Sequence, residues 1–264
     1  MYTREDQQHA RPDANAERIL GIRFFIGDAG EAVAHISANG GCVLMPAAPA
    51  LTKLRHDESY RAALQSADLV LPDSELLVFV CKLITRRTLR KVSGIDYLRE
   101  LLRDPSFRAA STVWIVASDS AKENALAFLQ RSGATVRGDD FHVRAANNPS
   151  AQDHGLLFEL ETRRPQHIVI ALPRAGQEQL GIYLRDYLLY RPRIHCIGAA
   201  LGFLSGEEKP IPNIMERLHL AWLARFAAQP QLILPRIGIA VLLAAMVLRS
   251  RSNLPPLKTR WSDM

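Results

Sequence analysis

The run ADLVLPDS (67–74) ends a short apolar stretch on a residue able to do chemistry, Asp73. An aspartate at the carboxyl end of a buried strand meets a low-dielectric environment. Burial there raises its pKa toward the range of a general base. An aspartate in front of a helix instead accepts hydrogen bonds from the first free N–H groups. Spacing alone supports base and cap equally for Asp73. Asp96, in VSGIDYL, reads first as a helix cap and second as an acceptor for ligand hydroxyls. Gln177 and Glu178 open a helical stretch after PRAG and could hold hydroxyls, although the polarity of a surface helix explains them nearly as well. Gly198 and Gly202 suit a close approach of backbone to a ligand, or a tight turn.

Several chemistries are excluded by what is missing. The sequence has no GxxxxGKS/T phosphate loop, no GxGxxG fingerprint, no HExxH and no GxSxG. Its histidines are dispersed, and Asp139–Asp140 lacks the DxD spacing of a metal-held nucleotide sugar. A nucleotide diphosphate bound here would be balanced by arginines rather than by a metal ion. Cys42, Cys81 and Cys196 form no CxxC pair and lie in apolar surroundings, which predicts buried free thiols in a reducing compartment.

The elements that must position these residues alternate. Strand-like runs are ILGIRFFI (19–26), GCVLM (41–45), DLVLP (68–72), TVWIVAS (112–118), HIVIALP (167–173) and RIHCIGAA (193–200). Helical patterns occupy Glu31–Ala38, the segment from Pro49 to Ala67, LLVFVCKLI, IDYLRELLRD, 120–133 and 177–190. Apolar strands without alternation, separated by helices, predict an α/β fold whose mostly parallel sheet has helices on both faces. Ligands gather at the carboxyl ends of such strands, here Pro72–Ser74, Ser118–Ser120, Pro173–Gln177 and Gly198–Gly202.

The 264 residues suffice for one large domain with an appendage: a charged leader over 1–17 without a signal-peptide core, an α/β core over 18–206, and a tail over 207–264. Lys209 to Met264 carries eight basic and two acidic residues, an excess equal to the whole chain's net +6. A basic, apolar tail implies an anionic partner, either nucleic acid or a lipid surface. IPNIMERLHLAWLARFAAQ (211–229) reads as an amphipathic helix. The uncharged run Ile237–Leu248 is too short to span a bilayer, which takes about 20 apolar residues. Flanked by Arg236, Arg249 and Arg251, it suits a helix lying in the membrane interface, or one packed on the body or on a second copy of the chain.

Five segments, in order, resemble the landmarks of the WecG/TagA/CpsF glycosyltransferase family: ADLVLPDS, KVSGIDYL, PRAGQE, IGAALGFLSG and RLHLAWLARFAAQP. The resemblance covers about residues 20–236 and is nearest the branch typified by the glucosyltransferase of the xanthan pathway. It implies a Rossmann-like core with a C-terminal helical appendage for membrane attachment. It also implies metal-independent, inverting transfer of a hexose from a nucleotide sugar, glucose from UDP-glucose in that branch, to a polyprenyl-diphosphate-linked sugar. An N-acetylmannosamine-type donor and a non-catalytic scaffold are the alternatives; a nucleotide-binding oxidoreductase is disfavoured by the absent glycine fingerprint. The implied location is cytoplasmic, on the inner face of the membrane, with no nucleic acid as partner. The family's proposed base falls on Asp73, an arginine on Lys91, the PKQE glutamine on Gln177, and two appendage arginines on Arg217 and Arg225. The sequence departs from the family pattern at Ala47 for asparagine, Ser74 for glycine, Gly202 for aspartate and Ala221 for glutamate.

Overall fold

The computed structural model describes residues 16–85, 89–144, 152–172, 176–206 and 233–257. The predicted helix over 211–229, Arg217, Ala221, Arg225 and the Pro173–Ala175 part of PRAG lie outside them.

Six strands form one sheet: β3 (Gly41–Leu44), β4 (Leu69–Val70), β5 (Thr112–Val116), β6 (Phe141–Val143), β7 (His167–Ala171) and β8 (Arg193–Cys196). They lie in the order β4-β3-β8-β7-β5-β6, and every neighbouring pair is parallel. Side chains one residue apart point to opposite faces, so the unalternating apolar runs feed two cores. Cys42, Leu44, Ile115, Ile168, Ile170 and Cys196 enter one core; Val43, Trp114, Val116, Val169 and Ala171 enter the other.

Helices cover both cores. On the first lie α2 (Ala48–Leu51), a 3-10 turn (Thr52–Arg55), α3 (Glu58–Ser66), α4 (Glu75–Thr85), α8 (His154–Arg163) and α9 (Gln177–Tyr187). On the second lie α1 (Ala29–Asn39), α5 (Gly94–Arg103), α6 (Pro105–Ala109), α7 (Asp119–Arg131) and α10 (Ala200–Ser205). The chain therefore leaves β8 toward the opposite face from the helices that follow its neighbours β3 and β7. Divergent connections of this kind open a crevice at the carboxyl ends of the strands.

The run 19–26, read as one strand, is a hairpin: β1 (Ala16–Ile19) pairs antiparallel with β2 (Ile22–Phe25). Leu20 (φ 52°) and Gly21 (φ 75°) form its two-residue turn, both in the left-handed region that such turns require. A distant segment holds leucine there: Leu20 N–H donates to Arg251 O at 2.7 Å and Gly21 N–H to Ser252 O at 3.1 Å. Ala16 and Glu17, at the end of the expected leader, belong to β1. The helix expected from Pro49 to Ala67 breaks at the 3-10 turn, and α3 restarts where Asp57 accepts a hydrogen bond from Tyr60 N–H.

The last described helix, α11 (Ile233–Ser250), buries Leu243, Met246 and Val247 in the first core, against α4 and α2. Its outer face leaves Ile237, Val241 and Leu248 exposed, and Phe79 and Leu83 of α4 are exposed as well. Among the described residues no helix is long and apolar enough to cross a membrane.

Candidate active site

A cavity of about 800 Å³ lies at the carboxyl ends of β3, β4, β7 and β8. Of the residues singled out in the sequence, Asp73, Lys91, Asp96, Gln177, Glu178 and Gly198 line it. Arg217 and Arg225 fall outside the described residues. Of the four strand ends named in advance, the segment Ser118–Ser120 does not line it; the Ser118 hydroxyl instead accepts from Ala121 N–H and caps α7. Gly202 sits on α10 and is also absent from the cavity wall.

Asp73 is not the cap of α4. That role belongs to Ser74, whose hydroxyl accepts from Leu77 N–H at 3.1 Å while its carbonyl accepts from Val78 N–H. The Asp73 carboxylate turns to the cavity, where Oδ1 accepts from Gly94 N–H at 3.1 Å. Among the described residues its Oδ2 makes no hydrogen bond. Burial pushes its pKa up; the Gly94 N–H and the charge of Lys91 pull it back, while Asp96 and Glu75 add to the rise. The net effect holds the Asp73 carboxyl above the ordinary aspartate range, which makes it a better proton acceptor than a free aspartate.

Gly94 can approach Asp73 because it has no side chain. A Cβ there would meet the Ile197 carbonyl oxygen at 3.1 Å and Ala200 Cβ at 3.3 Å. The helix it opens is capped by Ser93, which corrects the first reading of Asp96. Ser93 Oγ accepts from Asp96 N–H and donates to Asp96 Oδ2 at 2.6 Å. Asp96 is thus the third helical residue, and its carboxylate supports the cap instead of forming it.

Lys91 Nζ pairs with Glu75 Oε1 at 2.7 Å at the cavity rim, where both groups are substantially exposed. Gln177, expected to hold hydroxyls, spends its amide oxygen on the fold: Oε1 accepts from Gly198 N–H at 2.9 Å. That bond fixes the β8–α10 turn, in which Gly198 takes a φ of +58°. Both α9 residues are placed by close packing. A Cβ on Gly181, one turn further along α9, would lie 2.5 Å from Cys196 Sγ and 3.0 Å from Cys42 Sγ. Those two thiols and Cys81 are buried and free.

The sequence did not mark Lys53, Glu75 or Arg99, which also line the cavity. Lys53 comes from the 3-10 turn that interrupts the expected helix, so its direction could not be read from helical spacing. Arg99 lies three residues after Asp96, with Nη1 3.5 Å from Asp96 Oδ1, a spacing that places both on one helix face. Ala47 stands where the resemblance expects asparagine. It precedes α2 with no side-chain hydrogen bond and joins Met45, Pro49 and Ala50 in an apolar strip of the wall. Among the described residues no three His, Cys, Asp or Glu side chains converge as metal ligands.

A doubly wound parallel sheet with a half-buried carboxylate and several cations around a cleft at its strand ends has the architecture in which α/β enzymes bind polar ligands. More particularly, the chain belongs to the glycosyl transferase WecG/TagA/CpsF family, which matches residues 17–256. It is similar to an N-acetylglucosaminyldiphosphoundecaprenol N-acetyl-beta-D-mannosaminyltransferase of Bacillus spizizenii, at 22% identity over 228 residues, 84% of this chain and 85% of the relative. A protein of the same description from Bacillus subtilis is 23% identical over 194 residues, 70% of this chain and 73% of the relative.

Proposed function

We propose that the enzyme transfers a sugar from a UDP-sugar to a sugar carried on polyprenyl diphosphate, in one displacement that inverts the anomeric centre. Asp73 takes the proton of the acceptor hydroxyl as its oxygen bonds to the donor's anomeric carbon. The bond from that carbon to the phosphate oxygen breaks, and the nucleoside diphosphate leaves with the electron pair. Lys91, Lys53 and Arg99 from the cavity wall, with Arg217 and Arg225 from the tail, offset the charge of the diphosphates without a metal ion. The observation that carries this reading is the Asp73 carboxylate, freed from helix capping by Ser74 and held toward the cavity by Gly94.

The two curated relatives favour an N-acetylmannosamine-type donor and an N-acetylglucosamine-bearing acceptor over the glucose donor suggested by the xanthan-pathway branch. Glucose is the second reading, drawn from the resemblance to that branch; Ala47, where the family pattern has asparagine, marks a departure of the cavity wall that accords with an altered substrate. We further propose peripheral attachment to the inner face of the cytoplasmic membrane, through the exposed apolar residues of α11 and α4 and the arginines beside them.

Radiolabelled UDP-N-acetylmannosamine and UDP-glucose, each supplied with polyprenyl-diphosphate-linked N-acetylglucosamine, test the reaction. Label should enter the lipid fraction from the first donor and persist in EDTA. Transfer from UDP-glucose alone would select the second reading. No transfer from either donor would sink the proposal, and strict dependence on added Mg²⁺ or Mn²⁺ would refute the metal-free account.

A further inference from the structure

Among the described residues the cavity is lined by the cations Lys53, Lys91 and Arg99. Two of them are matched within the protein. Lys91 Nζ lies 2.7 Å from Glu75 Oε1, and Arg99 Nη1 lies 3.5 Å from Asp96 Oδ1. Lys53 has no carboxylate at ion-pair distance among the described residues. Its Nζ sits 5.9 Å from the centre of the Tyr60 ring, and Glu178, which feels its charge, forms no salt bridge with it. Lys53 is half-buried, and its ammonium keeps access to solvent. Its three N–H donors are thus available to an anion from outside the chain.

The position of Lys53 says which anion. The walls of the cavity come from opposite faces of the sheet. Arg99 lies on α5, over the second core, and Lys91 lies just before that helix. Lys53 shares the other wall, over the first core, with Ala47, Pro49 and Ala50. Helix α11 packs against this same wall, on α2 and on the 3-10 turn. Arg61 of α3 ties the turn to the chain just beyond α11: its Nη2 donates to Leu54 O at 2.7 Å and also to Pro255 O. The Lys53 carbonyl accepts from the N–H groups of His56 and Asp57, both at 2.8 Å, which fixes its backbone. The wall that carries the unpaired lysine is therefore continuous with α11, whose Ile237, Val241 and Leu248 are exposed.

A polyprenyl-diphosphate-linked sugar carries its parts in a fixed order: sugar, diphosphate, apolar chain. The sugar hydroxyl must reach Asp73 while the chain stays in an apolar phase, so the diphosphate lies between them. A UDP-sugar has no apolar chain, and nothing draws its diphosphate toward α11. We propose that Lys53 binds the diphosphate of the lipid-linked acceptor and not that of the UDP-sugar. This rests on the sugar-transfer reading and adds which of the two substrates the lysine serves. A compact ammonium on a flexible stem suits a phosphate oxygen whose position shifts as a long chain settles.

The test uses the full chain, the two UDP-sugars and the lipid-linked acceptor named above, held in neutral detergent. Lys53→Met keeps the apolar stem and removes the charge. It should raise the KM for the acceptor on the order of tenfold or more, the worth of one charge-assisted hydrogen bond. The KM for the UDP-sugar should stay where it is, and Lys53→Arg should restore most of the loss. Thermal melts confirm that both variants are folded. Calorimetric titration with the acceptor alone and with UDP alone gives the same comparison without turnover: Lys53→Met should weaken only the first. A rise confined to the UDP-sugar KM, or no change in either KM, would overturn the proposal. So would loss of binding to phosphatidylglycerol vesicles with the acceptor KM in detergent unchanged, which would make Lys53 a headgroup contact. If wild type transfers neither sugar, the transferase reading fails, and the titrations still decide whether Lys53 holds the acceptor's diphosphate.

Discussion

One set of polar side chains lies within the sheet on β7 and β8 and another at the strand ends that line the cavity, and the fold closes the first while leaving the second open. Within the sheet, Tyr97 Oη lies 2.8 Å from His195 Nδ1, and His195 Nε2 lies 3.0 Å from His167 Nδ1. Burial holds both imidazoles below their usual pKa, His167 at about 4. With both rings neutral, one hydrogen lies in each link of the chain, so all four atoms are used. At the carboxyl end of β4, Asp73 in the cavity wall makes a single hydrogen bond, through Oδ1, among the described residues. A buried polar group left unpaired costs about 1–3 kcal/mol. The closed chain ties α5 to the sheet, and the second Asp73 oxygen is one that a substrate can complete.

The largest predicted effect lies on the open side. Asp73→Asn should lower kcat by ~10²–10⁴-fold, the usual worth of a general base. Because burial raises the pKa of Asp73, ionised Asp73 strains the native state as pH rises through that value. The variant should therefore melt no lower than wild type. A parallel loss of stability would show that Asp73 is structural.

On the closed side the effects should be reversed. His195→Leu removes the partner of both Tyr97 and His167, and urea unfolding should show a loss of about 3–4 kcal/mol. A loss below 1 kcal/mol would mean that the chain does not hold α5. The pH dependence of stability sharpens the same point. His167 titrates lower in the folded than in the unfolded chain, so its contribution is complete above the ordinary histidine pKa and is lost as pH falls toward about 4. That shift corresponds to about 3 kcal/mol, and an acid titration of Tm should reveal it; His167→Gln should flatten the curve.

The smallest effect separates two adjacent residues. Ser74→Ala should cost about 1 kcal/mol as a lost helix cap, with sugar transfer retained. If Ser74→Ala abolished transfer while Asp73→Asn did not, the roles assigned to the pair would be reversed.

Much of this was legible because it is local. Unalternating apolar runs gave the parallel strands, and the helical pattern read over 120–133 is α7. The turn at Leu20 was not legible, since its positive φ is stabilised by Arg251 and Ser252 from the far end of the chain. Strand β6 and helix α8 were too short and too weakly patterned to stand out. In the site, the strand-end rule found Asp73, Gln177 and Gly198, but the choice between cap and base turned on a backbone geometry that spacing does not encode. The destination of the Gln177 amide depended on the conformation of the β8–α10 turn. Lys53 required knowing that a helix breaks before it.

The pH dependence of kcat tests most directly the claim that Asp73 acts as an ionised base. Wild-type activity should fall as pH drops through the Asp73 pKa, which lies above the ordinary aspartate value, and the residual activity of Asp73→Asn should lack that acid limb. The same acid limb persisting in Asp73→Asn would contradict the account.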